Sequence, residues 1–546
     1  MPQQSTTASK IIVNAKVRTL DPRNPVASSL AISGDTIIAV GNERDVAEYR
    51  GAGTELIDVG GHAVTPGLID GHIHPFMGAK STEGIDFAGV TTMEAFLALL
   101  RAEADRILTQ EPGAWLRGWN LDYDVFGRQP ITAALIEDAV RGSPTFIFVF
   151  DMHTALATPA AMRAAGITGS VTFGDASQIV VDQDGVPTGE LREASAYDAV
   201  LAGAPAMSRA EVVRRSQDVL RRLNASGITG GAVMDGAGSS LDMLDELAAT
   251  GDGLPVRLVH ALGHAPERDA AGIAEFISMR DRRGERWRGG LIKMFADGVI
   301  DSGTGWLYEP DALGGGLDSF WPNPADYADV VRQYSEAGFQ IATHAIGDRA
   351  IGAAIDAYVA AGVTSRGGAP HRIEHLECLA DKDLARLAEH GITASMQPLH
   401  LQWRKADGSD AWAARMGPER TSRAWRTRDV HDAGVPLALG SDWPVAQLDA
   451  RLGMAWARLR RTPGNPDAPV FEPVQVLNPL EALAGFTTGS ARAQGDQDTL
   501  GRIAVGYKAD LAVWAEDPVL VGSDALVDLP VSLTLVGGAV TYRAEE

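Results

Sequence analysis

The chain has 546 residues, 45% of them apolar and 22% charged, a globular balance that excludes wholesale disorder. The length sets a soft prior of three or four domains at about 150 residues each, although a barrel enzyme can absorb much of it alone. A net charge of −23 argues against nucleic acid or an anionic membrane as partner, since such a chain repels phosphates on average. The 60 Gly and 28 Pro follow no G-X-Y period, so collagen is excluded. The one cysteine, Cys378, excludes a disulfide framework and a cysteine-based zinc site, and suits a reducing compartment. Met1 to Lys10 is polar and lacks the apolar stretch of a signal peptide. No run reaches the roughly 18 apolar residues of a membrane span. A cytoplasmic protein is the default expectation.

The first 66 residues read as strands. Val13, Ala15 and Val17 alternate with Asn14, Lys16 and Arg18, the period of a half-buried strand. Leu30–Ile32 and Thr36–Val40 flank Ser33-Gly34-Asp35, which signals a hairpin. The C-terminal end reads the same way. Asp510–Trp514 is a short strand, Val531, Leu533 and Leu535 alternate with polar residues, and Gly537-Gly538 turns into Ala539–Tyr542. Strands at both ends with a different pattern between them predict a small β-sandwich built from both termini, residues 1–66 and 486–546.

The middle, residues 67–485, alternates apolar runs with helical stretches, which predicts parallel strands joined by crossover helices. The runs are Ala63–His74, Ile228–Asp235, Val256–Leu262, Gly290–Ala296, Phe339–His344, Arg372–His375, Ile392–Gln397 and Val435–Asp442. Eight is the number that an α/β fold of the (β/α)8 TIM-barrel type requires. An insertion of about 75–205 separates the first two runs. Without it, the remainder is near the roughly 250 residues typical of such barrels. Inside the insertion, Thr91-x-x-Glu94 opens a helix, Phe146–Phe150 leads into Asp151-Met152-His153, and Asp184-Gly185 turns a hairpin.

His72-Ile73-His74 ends the first run. Residues i and i+2 of a strand share a side, so both imidazoles can face the barrel mouth, where barrel active sites lie. Two neutral imidazoles suit a borderline metal such as Zn²⁺. Alone the motif is weak, because 12 His in this chain produce an HxH by chance roughly a quarter of the time. Context strengthens it. His344, His375 and Asp442 end the fifth, sixth and eighth runs. A lone histidine there is more often structural, but four histidines and an aspartate on four strand ends need a shared partner, and a metal supplies one. Lys293 sits inside the apolar fourth run, in a chain with far more Arg than Lys. Burying an ammonium is costly. Either the lysine snorkels or pairs with an acid, or its neutral amine takes up CO₂ as a carbamate, an anionic ligand able to bridge two metals.

HxH on the first strand, Lys on the fourth, His on the fifth and sixth, and Asp on the eighth together resemble the amidohydrolase superfamily. The segments VTPGLIDGHIH, IKMFADG, THAIGD, RIEH, GSDWPV and GRIAVGYKADLAVW are similar to those of the YtcJ-like metal-dependent amidohydrolases (amidohydrolase family 3), a group that includes N-substituted formamide deformylases. The resemblance runs from Val13 to about Pro518. It implies a barrel flanked by a terminal β-sandwich, a metal site, and hydrolysis of a non-peptide amide or related C–N bond. It implies that His72, His74, Lys293, His344, His375 and Asp442 hold one or two ions, Zn²⁺ or another divalent metal, with Lys293 carboxylated. It implies that Asp442 is the proton carrier and that His153, from the insertion, belongs to the catalytic pocket. A homodimer is compatible with it.

Other readings stay open. Barrel deaminases often carry HxxE on the fifth strand, whereas this chain has His344-Ala345-Ile346-Gly347. Lactone, ester and phosphotriester hydrolysis use the same ligands. A catalytically dead sensor is disfavoured because no ligand is missing. Among Trp119, Tyr123, Trp306, Tyr308, Trp403 and Trp443, all near strand ends or in the insertion, we expect Trp119, Trp306 and above all Trp443 to contact an apolar substrate. Gly314-Gly315-Gly316 does not match a P-loop and reads as a flexible loop after the fourth strand, a candidate lid.

Overall fold

The computed structural model describes residues 7–545 except Pro112, Arg128, Ala237 and Asp252. Met1–Thr6, part of the polar start, and Glu546 lie outside the described residues. Eight parallel strands form the central sheet: β1 (Leu68–Ile73), β2 (Ile228–Gly236), β3 (Arg257–Gly263), β4 (Trp287–Phe295), β5 (Gln340–Ala345), β6 (Arg372–His375), β7 (Thr393–Met396) and β8 (Leu437–Leu439). They pair in chain order from β1 to β8. The loop after β8 meets the end of β1, where the N–H of Asp442 donates to the His72 carbonyl (2.8 Å) and the N–H of His74 to the Trp443 carbonyl (2.9 Å). The chain therefore folds as a TIM-type barrel.

Alternation along the strands assigns the faces. Val233, Leu258, Leu262, Ile292, Met294 and Ile341 pack with residues of the surrounding helices. Ala232, Met234, Val259, Ala261, Leu291 and Ala342 form a separate small cluster without helical members, the barrel interior. Lys293 follows Leu291 by two residues and His344 follows Ala342 by two, so both face inward near the mouth.

The termini build two sheets. One has the order Thr36–Gly41, Ser29–Ser33, Lys10–Val13, Glu55–Asp58. The other has Ala539–Arg543, Val531–Val536, Leu511–Trp514, Ala63–Pro66, Lys16–Arg18, Val26–Ala27. Ile12, Leu30, Ile32 and Ile57 of the first pack against Val17, Val64, Val513 and Leu533 of the second, the interdigitated interior of a sandwich.

Three sequence expectations need correction. The alternating stretch Val13–Arg18 is two strands in different sheets. Asn14, at φ 53, takes the left-handed conformation that Asn tolerates and bends the chain from one sheet to the other. The run Ala63–His74 is also two strands, because Ala63–Pro66 pairs with Leu511–Trp514 and only Leu68–Ile73 enters the barrel. Gly67 makes this switch beside Thr229, whose side chain a Cβ would strike at 2.2 Å. The insertion's first helix spans Met93–Gln110 and is capped by Thr92, not Thr91, with its hydroxyl accepting from the Ala95 N–H.

The insertion forms a six-stranded mixed sheet, including Leu116–Leu121, Thr145–Val149 and Thr154–Ala157. Its hairpin Gln178–Val181/Pro187–Arg192 turns through Asp182–Val186. Phe150 of the insertion stacks on Trp403, beyond β7, with ring centroids 4.2 Å apart and planes at 11°. The insertion thus roofs one side of the mouth. Gly314–Gly316 is held rather than loose. Asp311 accepts the N–H of Gly315 and pairs with Arg415 (both 2.8 Å).

Candidate metal centre and active site

The strand ends bring the predicted residues together. The His72 and His74 Nε2 atoms lie 3.2 Å apart, and Asp442 Oδ1 lies 3.3 Å from the first and 3.1 Å from the second. His375 Nδ1 is 3.8 Å from Asp442 Oδ2. His72, His375 and Asp442 offer one ligand atom each within 4.8 Å of one another. His74, His153, Lys293, His344, His375 and Asp442 line one cavity. Edges near 3.2 Å are close to the roughly 3.3 Å between ligands of a tetrahedral ion with bonds of about 2.0–2.1 Å. Two imidazole lone pairs at this separation repel unless a cation or a shared proton lies between them. The donor set therefore fits a metal ion.

Outer contacts select which ring nitrogen is free for an ion. The Nδ1–H of His72 donates to Glu374 Oε2 (2.7 Å). Arg372 grips that carboxylate through Nε at 2.6 Å. The Nδ1–H of His375 donates to Gln397 Oε1 (2.9 Å). The Nε2–H of His344 donates to the Gly298 carbonyl (3.0 Å), which leaves its Nδ1. His74 Nδ1 lies 3.4 Å from Asp235, whose other oxygen accepts the Phe76 N–H. Partners of this kind fix tautomer and ring orientation. His375 and Asp442 both have positive φ, 77 and 58, a conformation that costs of order 1–3 kcal/mol per non-glycine residue and persists where the surroundings over-determine it.

The electrostatics suit metal ligation. Burial, reinforced by Lys293, lowers His72 to about 4. Burial likewise holds His344 and His375 well below the usual range. In His74 burial is outweighed by Asp235 and Asp442, and the shift is upward. Burial favours the protonated form of Asp442, but His72, His74 and His375 outweigh it and keep the carboxylate ionised. Burial lowers Lys293 to about 8, against the pull of Glu374 and Asp442. Its ammonium sits 5.0 Å from the Phe295 ring centroid.

Two adjoining cavities share Asp151, His153, His344, His375, Asp442 and Val445. The first is walled by Phe150, Trp403, Trp412 and Trp425. The three tryptophans expected to contact substrate lie elsewhere. Trp443 is buried with its ring on Gly78 of the helix after β1, leaving no room there for a Cβ. Trp306 is buried beneath Arg349, 4.8 Å from its ring centroid. Trp119 packs among Phe146 and Phe148 in the insertion. Apolar packing draws aromatic rings into a core as readily as into a pocket. Of the other aromatic candidates, Trp403 lines the cavity, Tyr123 bonds Asp151 and Thr154, and Tyr308 stacks with Lys382.

Sequence reasoning missed His400. It follows β7 on the turn Pro398–Trp403, and its buried Nε2 lies 3.6 Å from Asp442 Oδ2. The rule that marked His344 and His375 marks it too once the loop beyond the run Ile392–Gln397 is included.

A sequence profile described as the amidohydrolase family matches residues 55–542. The chain belongs to the amidohydrolase family. It is accordingly a hydrolase. It is 27% identical to the N-substituted formamide deformylase of Arthrobacter pascens, over 98% of each chain. It is 27% identical to YtcJ of Bacillus subtilis, over 92% of this chain and 93% of that protein. In structure it is similar to an uncharacterized metal-dependent hydrolase from Pyrococcus horikoshii, with a TM-score of 0.70 and 24% identity over 94% of this chain and 99% of that one. That likeness is one of fold.

Proposed function

We propose that this amidohydrolase cleaves a non-peptide amide C–N bond, as in an N-formyl or N-acyl amine bearing an apolar or aromatic group. The observation that carries the reading is the convergence of His72, His74 and Asp442 at 3.1–3.3 Å, beside a cavity walled by Phe150, Trp403, Trp412 and Trp425. The likeness to a formamide deformylase over nearly the whole chain supports the bond type. A Zn²⁺ or similar ion, one or two in number, fits His72, His74, His344, His375 and Asp442. When bound, such an ion polarises a carbonyl and makes water acidic enough to ionise near neutral pH.

The chain's own groups do the rest. The ionised Asp442 takes a proton from the attacking water and gives it to the leaving nitrogen. His153 reaches the same cavity from the insertion. Burial opposes its charge, but Glu193 together with Asp151 and Asp442 outweighs burial and raises it to about 9, so its Nε2–H donates to the carbonyl oxygen as charge develops there. Lys293, with its lowered proton affinity, offers a neutral amine whose nitrogen adds to CO₂ and loses a proton, giving an anionic carbamate.

Deamination is disfavoured by packing. At Gly347, the place of the acidic residue in HxxE, a Cβ would lie 2.1 Å from the Trp306 carbonyl oxygen. The test is turnover of the metal-replete protein on N-formyl- and N-acetylbenzylamine, dipeptides, lactones, phosphotriesters and aminopyrimidines. Release of benzylamine with the others idle is expected. Turnover confined to lactones, phosphotriesters or aminopyrimidines would overturn the reading.

A further inference from the structure

Glu193 lies outside the candidate ligand set, yet its geometry is costly for a glutamate. Its backbone stands at φ 63 and ψ 167, a region populated essentially by glycine. It is 2% exposed. Its N–H donates to the His153 carbonyl (2.8 Å). Its Oε2 accepts the Nδ1–H of His153 (2.7 Å), and its Oε1 accepts the Thr304 hydroxyl (2.8 Å). Backbone and side chain both bind one residue, His153. A conformation this unfavourable persists only where neighbouring contacts over-determine it.

We propose that Glu193 is a positioning residue for the reaction, its carboxylate holding the His153 ring by Nδ1–H so that Nε2, on the opposite edge, faces the cavity of Asp442 and His344. This rests on the reading of His153 as the donor to the substrate carbonyl. The carboxylate also ties two separate elements. Glu193 follows the insertion's strand Pro187–Arg192, whereas Thr304 lies in the segment after β4. The imidazole is therefore aimed only while the insertion rests on that segment.

Glu193→Gly tests this, because glycine accepts the backbone angles while the carboxylate is lost with the side chain. A purely structural glutamate predicts no special link to His153. A positioning glutamate predicts that the variant keeps its Tm and metal content and loses kcat on N-formylbenzylamine by about 10–100-fold, the range for residues that orient a ligand or catalyst. KM should change little. His153→Asn and the double variant His153→Asn/Glu193→Gly should be equally impaired. In ¹⁵N-histidine-labelled holoenzyme, the downfield Nδ1–H proton signal that vanishes in His153→Asn should vanish in Glu193→Gly and shift upfield in Glu193→Gln. Persistence of that signal in Glu193→Gly, or additive losses in the double variant, would overturn the proposal. The signal is read without substrate, so an idle substrate panel would defeat the hydrolytic reading while the spectrum still decides the Glu193–His153 pair.

Discussion

The backbone N–H of Asp442 donates to the carbonyl of His72 at 2.8 Å, so the bond that closes the barrel also joins two residues of the candidate metal centre. The buried carboxylate of Asp70 reinforces the seam, accepting the N–H of His72 and of Ser441 at 3.0 Å each. Closure of the barrel and the candidate site thus share the same hydrogen bonds.

Gly440→Ala is expected to damage both together. A Cβ at Gly440 would lie 2.5 Å from the His72 nitrogen and 2.9 Å from Asp70 Oδ1, too close for backbone to ignore. Overpacking of this kind costs typically about 1–3 kcal/mol. Metal content by elemental analysis should fall along with the denaturation midpoint. Full metal occupancy and unchanged stability would show that the seam and the site are independent.

Prolonged chelation is expected to abolish turnover, and Zn²⁺ to restore it. The motive is the gathering of His72, His74 and Asp442 at the barrel mouth with polar atoms 3.1–3.3 Å apart. Activity that survives in protein shown to be free of metal would refute the metal centre.

The barrel was legible because its strands are buried on both faces and read as near-continuous apolar runs, and because the candidate ligands lie at their ends. Partners across the fold were not. Glu374 sits in plain view beside His375, but the His72 it holds is 302 residues away. Glu193 acquires its role only when the insertion's sheet brings it to His153. The tryptophans show the same limit: a ring's chemistry is the same in a core as in a pocket, and only packing shows that Trp443 covers Gly78 while Trp403 lines the cavity.

Lys293→Ala is expected to lose activity, and millimolar acetate or propionate to restore part of it by entering the space that the carbamate would fill. Burial lowers Lys293 to about 8, which makes the neutral amine available near physiological pH. Intact mass under mild conditions should show added CO₂ in the wild type. An unmodified amine with a single ion at saturation would exclude the bridge and leave a mononuclear centre.

His371 is expected to make the fold acid-sensitive. Burial lowers its folded-state pKa to about 4, and its Nδ1 accepts the Ile341 N–H (3.2 Å), which requires the neutral ring. The unfolded chain takes up this proton near pH 6.5 and the folded chain does not. The contribution is therefore present above 6.5 and is lost as pH falls toward 4. With a full slope of about 1.4 kcal/mol per pH unit reached only below 6.5, about 1.6 kcal/mol should go between pH 6.5 and 5. Urea denaturation of wild type and His371→Asn at both pH values measures it, and equal pH dependence in the two proteins would exclude the assignment.

Asp442→Asn isolates the proton carrier. The substitution keeps size and hydrogen-bonding capacity, so the seam bond from residue 442 to His72 should survive and the protein should fold. What disappears is basicity. His72, His74 and His375 keep the wild-type carboxylate ionised despite its burial, and an ionised carboxylate accepts a proton from water where an amide cannot. General acid–base groups typically contribute about 10²–10⁴-fold, and a loss of kcat at least that large is expected, with some loss of metal. Because Asp442 lies within 3.1–3.8 Å of four imidazoles, the acid limb of the wild-type pH–rate profile should titrate as a coupled group rather than a single residue. A metal-replete Asp442→Asn enzyme with near-wild-type kcat would remove Asp442 from proton transfer and shift that role to His153 or to His400, whose Nε2 lies 3.6 Å from the Asp442 carboxylate.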